Sequence, residues 1–215
     1  MPKIPILQPG QSYTFADYFK LNYDPEDILA SFGFSLQLKA LTLPQFVGQL
    51  ERLANLKERI EESLPLLTLT SEVARREFLI APVLIDLIHY TQAKLKVEYP
   101  ININEQLKGS LDYYIQSQQS LLVIEAKNED LQRGFTQLAV ELIALDQWTP
   151  SQQPLLHGAV STGIIWQFGT LERQTKQITQ DLNLYRVPAD LEELLSILVA
   201  ILTNPFTSNS ATSSH

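Results

Sequence analysis

The spacing of apolar residues changes several times along the chain, and each change marks an element. Tyr13 to Leu21 is spaced as a short helix or turn that leaves its aromatic residues exposed. Asp24-Pro25-Glu26-Asp27 starts a helix: Asp24 is an N-cap, Pro25 suits the first helical position, and the acids sit at the positive end of the dipole. Gly33 closes it. Phe34, Leu36 and Leu38 then alternate with Ser35, Gln37 and Lys39, the period of a half-buried strand. From Pro44 to Ser63 a longer helix is predicted, with Phe46, Val47, Leu50, Leu53, Leu56 and Ile60 on one face. Its other face (Glu51, Arg52, Lys57, Glu58, Arg59, Glu61) reads as solvated surface or as a surface for a partner helix.

Ser71 is the next N-cap, and Glu72, Arg76, Leu79 and Val83 follow at i, i+4, i+7 and i+11. That stripe runs into the core and draws Glu72 toward it, while Pro82 predicts a kink. Lys94 to Tyr99 alternates as a strand that Pro100 stops. Leu111 to Gln116 and Leu121 to Ala126 form a hairpin about a turn centred on Gln118 and Gln119. The second of these strands is apolar and partly β-branched, as a strand buried on both faces is. Asn128 or Asp130 caps a helix ending near Asp146, with Leu131, Phe135, Leu138, Leu142 and Leu145 as its core stripe and Gln137 at the edge. Leu155 to Ser161 is a strand reached by a helical crossover, hence parallel to the buried one, and its His157 reads as a packed core residue. Ile164 to Glu172 and Gln177 to Arg186 are two more strands around a polar turn. A helix from Asp190 to Leu202, apolar on most sides, packs on the sheet, and Thr207 to His215 is a loose polar tail. The order is that of an α/β protein with a mixed sheet: helix, three antiparallel strands, helix, strand. Residues 1–66 read as an N-terminal addition, 67–205 as the core and 206–215 as the tail.

The chemistry collects at the end of the buried strand. Glu125 and Lys127 are two positions apart, so both side chains leave the same face. With the turn centred as above, Asp112 falls directly opposite Glu125. Opposed Cβ atoms in a hairpin lie about 5 Å apart, and like charges there are destabilising. A sequence shaped for folding alone avoids two carboxylates and a lysine in that position. A divalent cation between the carboxylates removes the conflict, because hard cations take oxygen ligands and Mg²⁺ typically uses about one or two carboxylates with waters and substrate phosphate. Taken singly, each residue has a plainer reading. Glu125 and Lys127 make a solvated ion pair worth about 0–1 kcal/mol, Glu72 a helix-start acid paired with Arg76, and Gln137 a satisfied amide.

Asp112 followed by Glu125-Ala126-Lys127 resembles the PD-(D/E)XK nuclease superfamily, whose fold is restriction-endonuclease-like. Gln137 is similar to that family's helical glutamine. Ser71 to Leu84 looks like the first helix of the nuclease domain of type I restriction subunits, where a Glu and an Arg one turn apart precede Leu-Ile-x-Pro; here these are Glu72, Arg76, Leu79-Ile80 and Pro82. The resemblance covers residues 71–160. It implies that Asp112 and Glu125, with Glu72, hold Mg²⁺ or Mn²⁺, that Lys127 orients or polarises the attacking water, and that Gln137 belongs to the site. Two positions depart from the pattern: Leu111 precedes Asp112 where the motif has proline, and Glu141 stands where relatives often carry an aromatic.

Composition then narrows the function. The 215 residues carry 16 basic and 24 acidic side chains, a net charge of −8, with no basic run. Nucleic-acid binders draw most of their affinity from basic residues at phosphates, so weak independent binding to duplex DNA is expected. The implied activity is metal-dependent hydrolysis of DNA phosphodiesters in a dimer or complex whose partner supplies the basic surface. The alternative is a nuclease fold kept as an inactive binding or regulatory scaffold. There is no cysteine, which fits a reducing cytoplasm. Met1 to Gln11 does not read as a secretory signal, and Leu194 to Leu202 is too short to span a bilayer, so no membrane association is expected.

Overall fold

The computed structural model describes residues 6–8, 10–117, 120–127, 130–151 and 153–203. The Gln118–Gln119 turn centre, Asn128 and the polar tail lie outside them. Helices α1 (Phe15–Lys20) and α2 (Pro25–Ser31) lead into strand β1 (Ser35–Lys39), followed by helices α3 (Leu53–Ser63) and α4 (Glu72–Arg75). A π-helical segment, Arg76–Ile80, joins α4 to α5 (Ala81–Thr91). Strands β2 (Lys94–Asn104), β3 (Leu107–Gln116) and β4 (Leu121–Ala126) precede helix α6 (Leu131–Trp148). Then come β5 (Leu155–Ser161), β6 (Ile165–Glu172), β7 (Gln177–Asp181), β8 (Tyr185–Arg186) and helix α7 (Leu191–Thr203).

All eight strands form one mixed sheet in the order β1-β7-β6-β5-β4-β3-β2, with β8 paired to β6. β2, β3 and β4 are antiparallel, and β5 lies parallel to β4 after the α6 crossover, as expected from the sequence. The predicted hairpin register also holds, with Tyr113 opposite Ile124 and Gln116 opposite Leu121. One core lies between the sheet and α3, α5 and α7, and takes Leu122, Ile124 and Ala126 from β4. The other lies under α6, α1 and α2 and takes Leu121 and Val123. Every residue of β4 is therefore buried. Among the described residues no helix is long and apolar enough to cross a membrane.

Several expectations from periodicity are corrected. The helix predicted from Pro44 begins only at Leu53. Gly48 weakens helix here, and the Phe46 backbone is drawn to α7 instead: its N–H donates to Ser196 Oγ (2.9 Å), whose hydroxyl donates to the Phe46 carbonyl (3.1 Å). The charged face of α3 is exposed as expected. Pro100 does not stop β2 but lies within it opposite Ser110, because β2 is the last strand of the sheet and a missing donor is tolerated at an edge. β1 is the other edge strand and is more exposed than its alternation predicts, with Leu38 open to solvent. The predicted strand Gln177–Arg186 divides into β7 and β8 because Asp181 Oδ1 accepts from Leu41 and Asn183 N–H and turns the chain. Pro82 has no N–H to return to the preceding turn, and the helix widens into its π segment just before it.

The largest correction concerns the N-terminal segment. Tyr13, Phe15 and Tyr18 are buried, not exposed. They cover α6, which is buried on every side from Gly134 to Leu145 and not along a single stripe. Tyr18 Oη donates to the Gln106 carbonyl (2.6 Å), Tyr13 N–H donates to the Glu105 carbonyl (2.8 Å), and the Phe15 ring fills the space that a side chain at Gly109 would need. The segment is part of the core layer, and Phe15→Ala is expected to lower the unfolding free energy by about 3–5 kcal/mol in urea titrations. A loss below about 0.5 kcal/mol, the value of an ordinary surface change, would mean the segment is a dispensable cover.

Candidate active site

The β3–β4 ladder runs from Gln116 and Leu121 to Tyr113 and Ile124 and goes no further. The next step would set Asp112 against Glu125. Instead Asp112 Oδ2 accepts the Ala126 N–H (2.8 Å), so a side chain takes the place of a ladder partner. The β2–β3 ladder also skips this position, passing from Val97–Tyr113 to Tyr99–Leu111. Glu98, the residue skipped, has a left-handed φ of 51°, a strained state for a residue with a Cβ. Asp112 thus sits where both neighbouring strands let go of β3.

Arg76 fills part of that gap. Its guanidinium bonds Glu98 Oε1 (2.6 Å) and, more loosely, Asp112 Oδ1 (3.4 Å), and lies over the Tyr113 ring. The pairing of Arg76 with Glu72 weighed from the sequence gives way to these partners. Glu72 stands half-buried in the first turn of α4 beneath the Ser71 N-cap. Among the described residues it forms no ion pair. Burial pushes its carboxyl above the ordinary range while the Lys127 charge pulls it back and Asp112 adds to the rise, so it belongs to the site through its field.

Glu125 and Lys127 share a face, as predicted. Lys127 Nζ donates to Glu125 Oε1 at 2.5 Å, and the two side chains are only 11% and 2% exposed, so this is a buried pair and not a solvated one. Gln137 Nε2 donates to the same Oε1 at 2.6 Å and to Glu141 Oε1 at 2.9 Å. Helix α6 comes this close because Gly134 has no side chain: a Cβ there would meet Lys127 Cγ at 2.7 Å and Val160 Cγ2 at 2.8 Å. On the outer side, the Phe19 ring of α1 lies 5.2 Å from Lys127 Nζ. The structure therefore gathers Glu125, Lys127 and Gln137 in one hydrogen-bonded group, with Asp112 beside it on the Ala126 N–H and Glu72 at its margin. Arg76, Glu98, Glu141 and Phe19 were not singled out as site residues. Glu141 left a trace, a charge inside an apolar run; Glu98 and Phe19 left none, because their positions depend on a skipped ladder step and on the docking of α1.

Burial, reinforced by Asp112, pushes the Glu125 carboxyl up to about 8. Burial also pushes Asp112 up, against the Ala126 N–H and Arg76, and raises Glu141 further with help from Glu125. Burial acts against the charge on Lys127, but Glu125, Glu72 and Asp112 outweigh it and hold the ammonium above its usual range. Lys127 is therefore a proton donor and a positive charge at neutral pH, not a base. Glu125 Oε2 is buried with no hydrogen-bond donor. Among the described residues no three acidic or histidine side chains form a ready-made cation cage; what the strands offer is the Asp112–Glu125 pair and one free carboxylate oxygen. That donor set fits a hard cation, which is content with about one or two carboxylates and completes its shell with water. His157, expected to be core, is buried beside Leu122 on β5, and burial lowers its pKa to about 4.

These shifts fix the pH response of the metal-free chain. A carboxyl raised to about 8 contributes stability that is whole below its unfolded value and is lost as pH climbs through 8. His157, lowered to about 4, contributes the opposite limb, lost as pH falls from its unfolded value toward 4. Between about pH 5 and 8 the raised carboxyls outweigh the single histidine, so the melting temperature in chelator is expected to fall across that range, and Glu125→Gln to make the fall shallower. A melting temperature that climbs steadily past pH 8 in the wild type would contradict the buried state of Glu125.

Compared with protein-family models, curated proteins and solved structures, the chain matches none.

Proposed function

We propose that this protein is a metal-dependent nuclease of the restriction-endonuclease-like type that hydrolyses DNA phosphodiesters. The observation that carries the proposal is the state of Glu125. One oxygen of this buried carboxylate is committed to Lys127 and Gln137, the other has no donor, and a second carboxylate, Asp112, stands at the break in the ladder beside it. A group that served only the fold would be neutralised on both oxygens or replaced by an apolar residue. Asp112 and Glu125 would hold Mg²⁺ or Mn²⁺, with Glu72 at the margin of the same field. When bound, the cation supplies positive charge against the charge that develops on the phosphoryl oxygens.

The chain's own residues account for the rest. Gln137 and Lys127 fix Glu125 in one rotamer before substrate arrives, which limits reorganisation during the reaction. The Lys127 ammonium would orient by hydrogen bonding a water attacking in line on phosphorus, the bond to the departing oxygen breaking as the new one forms and the water's proton passing to solvent, and would stabilise the negative charge that builds there. Phe19 and the covering α1 keep bulk water from the Lys127 stem. With a net charge of −8, the isolated chain binds plain duplex weakly, and a dimer or protein partner supplies the basic surface.

The test is DNA cleavage with Mg²⁺ or Mn²⁺ beside thermal unfolding with and without metal. The wild type should be stabilised by metal and Asp112→Asn should not. Lys127→Ala should keep the metal-induced shift while cleavage falls by about 100- to 1,000-fold. Metal stabilisation of the wild type without cleavage of any DNA form would favour the second reading, a scaffold that keeps the fold. The closure of Asp112 by Arg76 is the observation on that side. In binding assays, affinity for plain duplex should be low, with a shallow dependence of log K on log salt. Tight, steeply salt-dependent binding by a monomer would contradict the need for a partner.

A further inference from the structure

Glu141 is wholly buried in the middle of α6, between Val140 and Leu142. Gln137 Nε2 carries two hydrogens, and both are used: one on Glu125 Oε1, one on Glu141 Oε1. The amide nitrogen thus bridges the two carboxyl groups. Glu125 Oε2, Glu141 Oε2 and Gln137 Oε1 are buried and receive no N–H donor from the protein, and the Glu141 carboxyl also meets that of Glu125 directly. Among the described residues Lys127 is the only buried lysine or arginine, and it is spent on Glu125. Glu141 therefore serves neither the packing of α6, which an apolar side chain would serve better, nor the balance of buried charge.

We infer that Glu141 is a positioning residue of the cation site: through the Gln137 amide it fixes which oxygen of Glu125 is committed and which, Oε2, stays free for the ion. The inference rests on the reading of Asp112 and Glu125 as ligands. Without an acceptor at residue 141, the Gln137 amide is tied at one end only and can turn. Glu125 then keeps only Lys127 on Oε1, and its two oxygens can exchange roles. This is the way an outer group orients a ligand it does not share with the metal.

The experiment is Mn²⁺ binding by calorimetry on the full chain, with urea unfolding of the metal-free protein alongside. Glu141→Leu should leave metal-free stability equal or higher, while Mn²⁺ affinity falls by about 10- to 100-fold, the usual range for an outer-shell group. Glu141→Gln keeps a carbonyl acceptor for Gln137 and should bind Mn²⁺ within a few-fold of the wild type. Gln137→Leu breaks the same link from the other end and should reproduce the loss, which keeps the test open if Glu141→Leu does not fold. Wild-type affinity in Glu141→Leu or in Gln137→Leu would overturn the role of Glu141. So would a loss in Glu141→Gln as large as in Glu141→Leu, since charge and not the acceptor would then be at work. A wild type that binds no Mn²⁺ would instead sink the ligand reading itself, and the two failures are told apart by that first titration.

Discussion

A carboxylate at the end of a strand buried on both faces has to be neutralised where it stands, and the rest of this structure is arranged about that requirement. Glu125 is held by Lys127 from its own strand and by Gln137 from α6. Each of those contacts sets conditions elsewhere. The lysine needs room for its stem, which Gly134 leaves on the facing helix. The glutamine needs α6 pressed against the sheet, and the absence of side chains at Gly158 and Gly169 lets Leu138 and Phe135 seat there. A helix drawn in that far is buried on every side and must be covered, which α1 and α2 do. The N-terminal segment is thus a consequence of how deeply the site is set.

Asp112 is governed by the opposite condition. It lies where β3 loses its partners on both sides, so its carboxylate takes over hydrogen bonding that the backbone would otherwise do. Arg76, carried by the π-helical turn ahead of Pro82, stands in as a counter-charge. The two carboxylates differ in kind: Glu125 is fixed by donors within a packed layer, whereas Asp112 sits at an opening, tied by one short bond and one long one. Unequal restraint of this sort suits a pair of which one member holds its place and the other adjusts.

Much of this was legible in the sequence because the deciding forces are local. The alternation around Glu125, the hairpin register, the caps at Asp24, Ser71 and Asp130 and the crossover to β5 all follow from side chains a few positions apart. Where tertiary contacts decide, periodicity misled. Phe46, Val47 and Leu50 keep a helical spacing in a segment that is not helical, because Ser196 offers the backbone a better partner. Pro100 reads as a stop only if β2 is assumed to have neighbours on both sides. The aromatics of α1 looked exposed because the helix they bury against lies more than a hundred residues on. At the site, strand spacing and register pointed to Asp112, Glu125 and Lys127, and the family resemblance to Gln137. The left-handed turn at Glu98 and the ring of Phe19 over Lys127 follow from no local pattern.

The pairing of β1 with β7 carries a consequence for how the molecule is made. Ser35 to Lys39 lie beside Gln177 to Asp181, so β1 has no place in the sheet until β7 has been synthesised. Until then α1 and α2 can settle only when α6 has emerged, and the far edge of the sheet stays open while the β3–β4 hairpin is already paired. Contacts so distant in sequence close slowly, because the loop entropy is lost before the contact returns anything. The carboxylates of the site thus lie on strands that pair locally, while the edge on the opposite side of the sheet depends on a contact far apart in sequence.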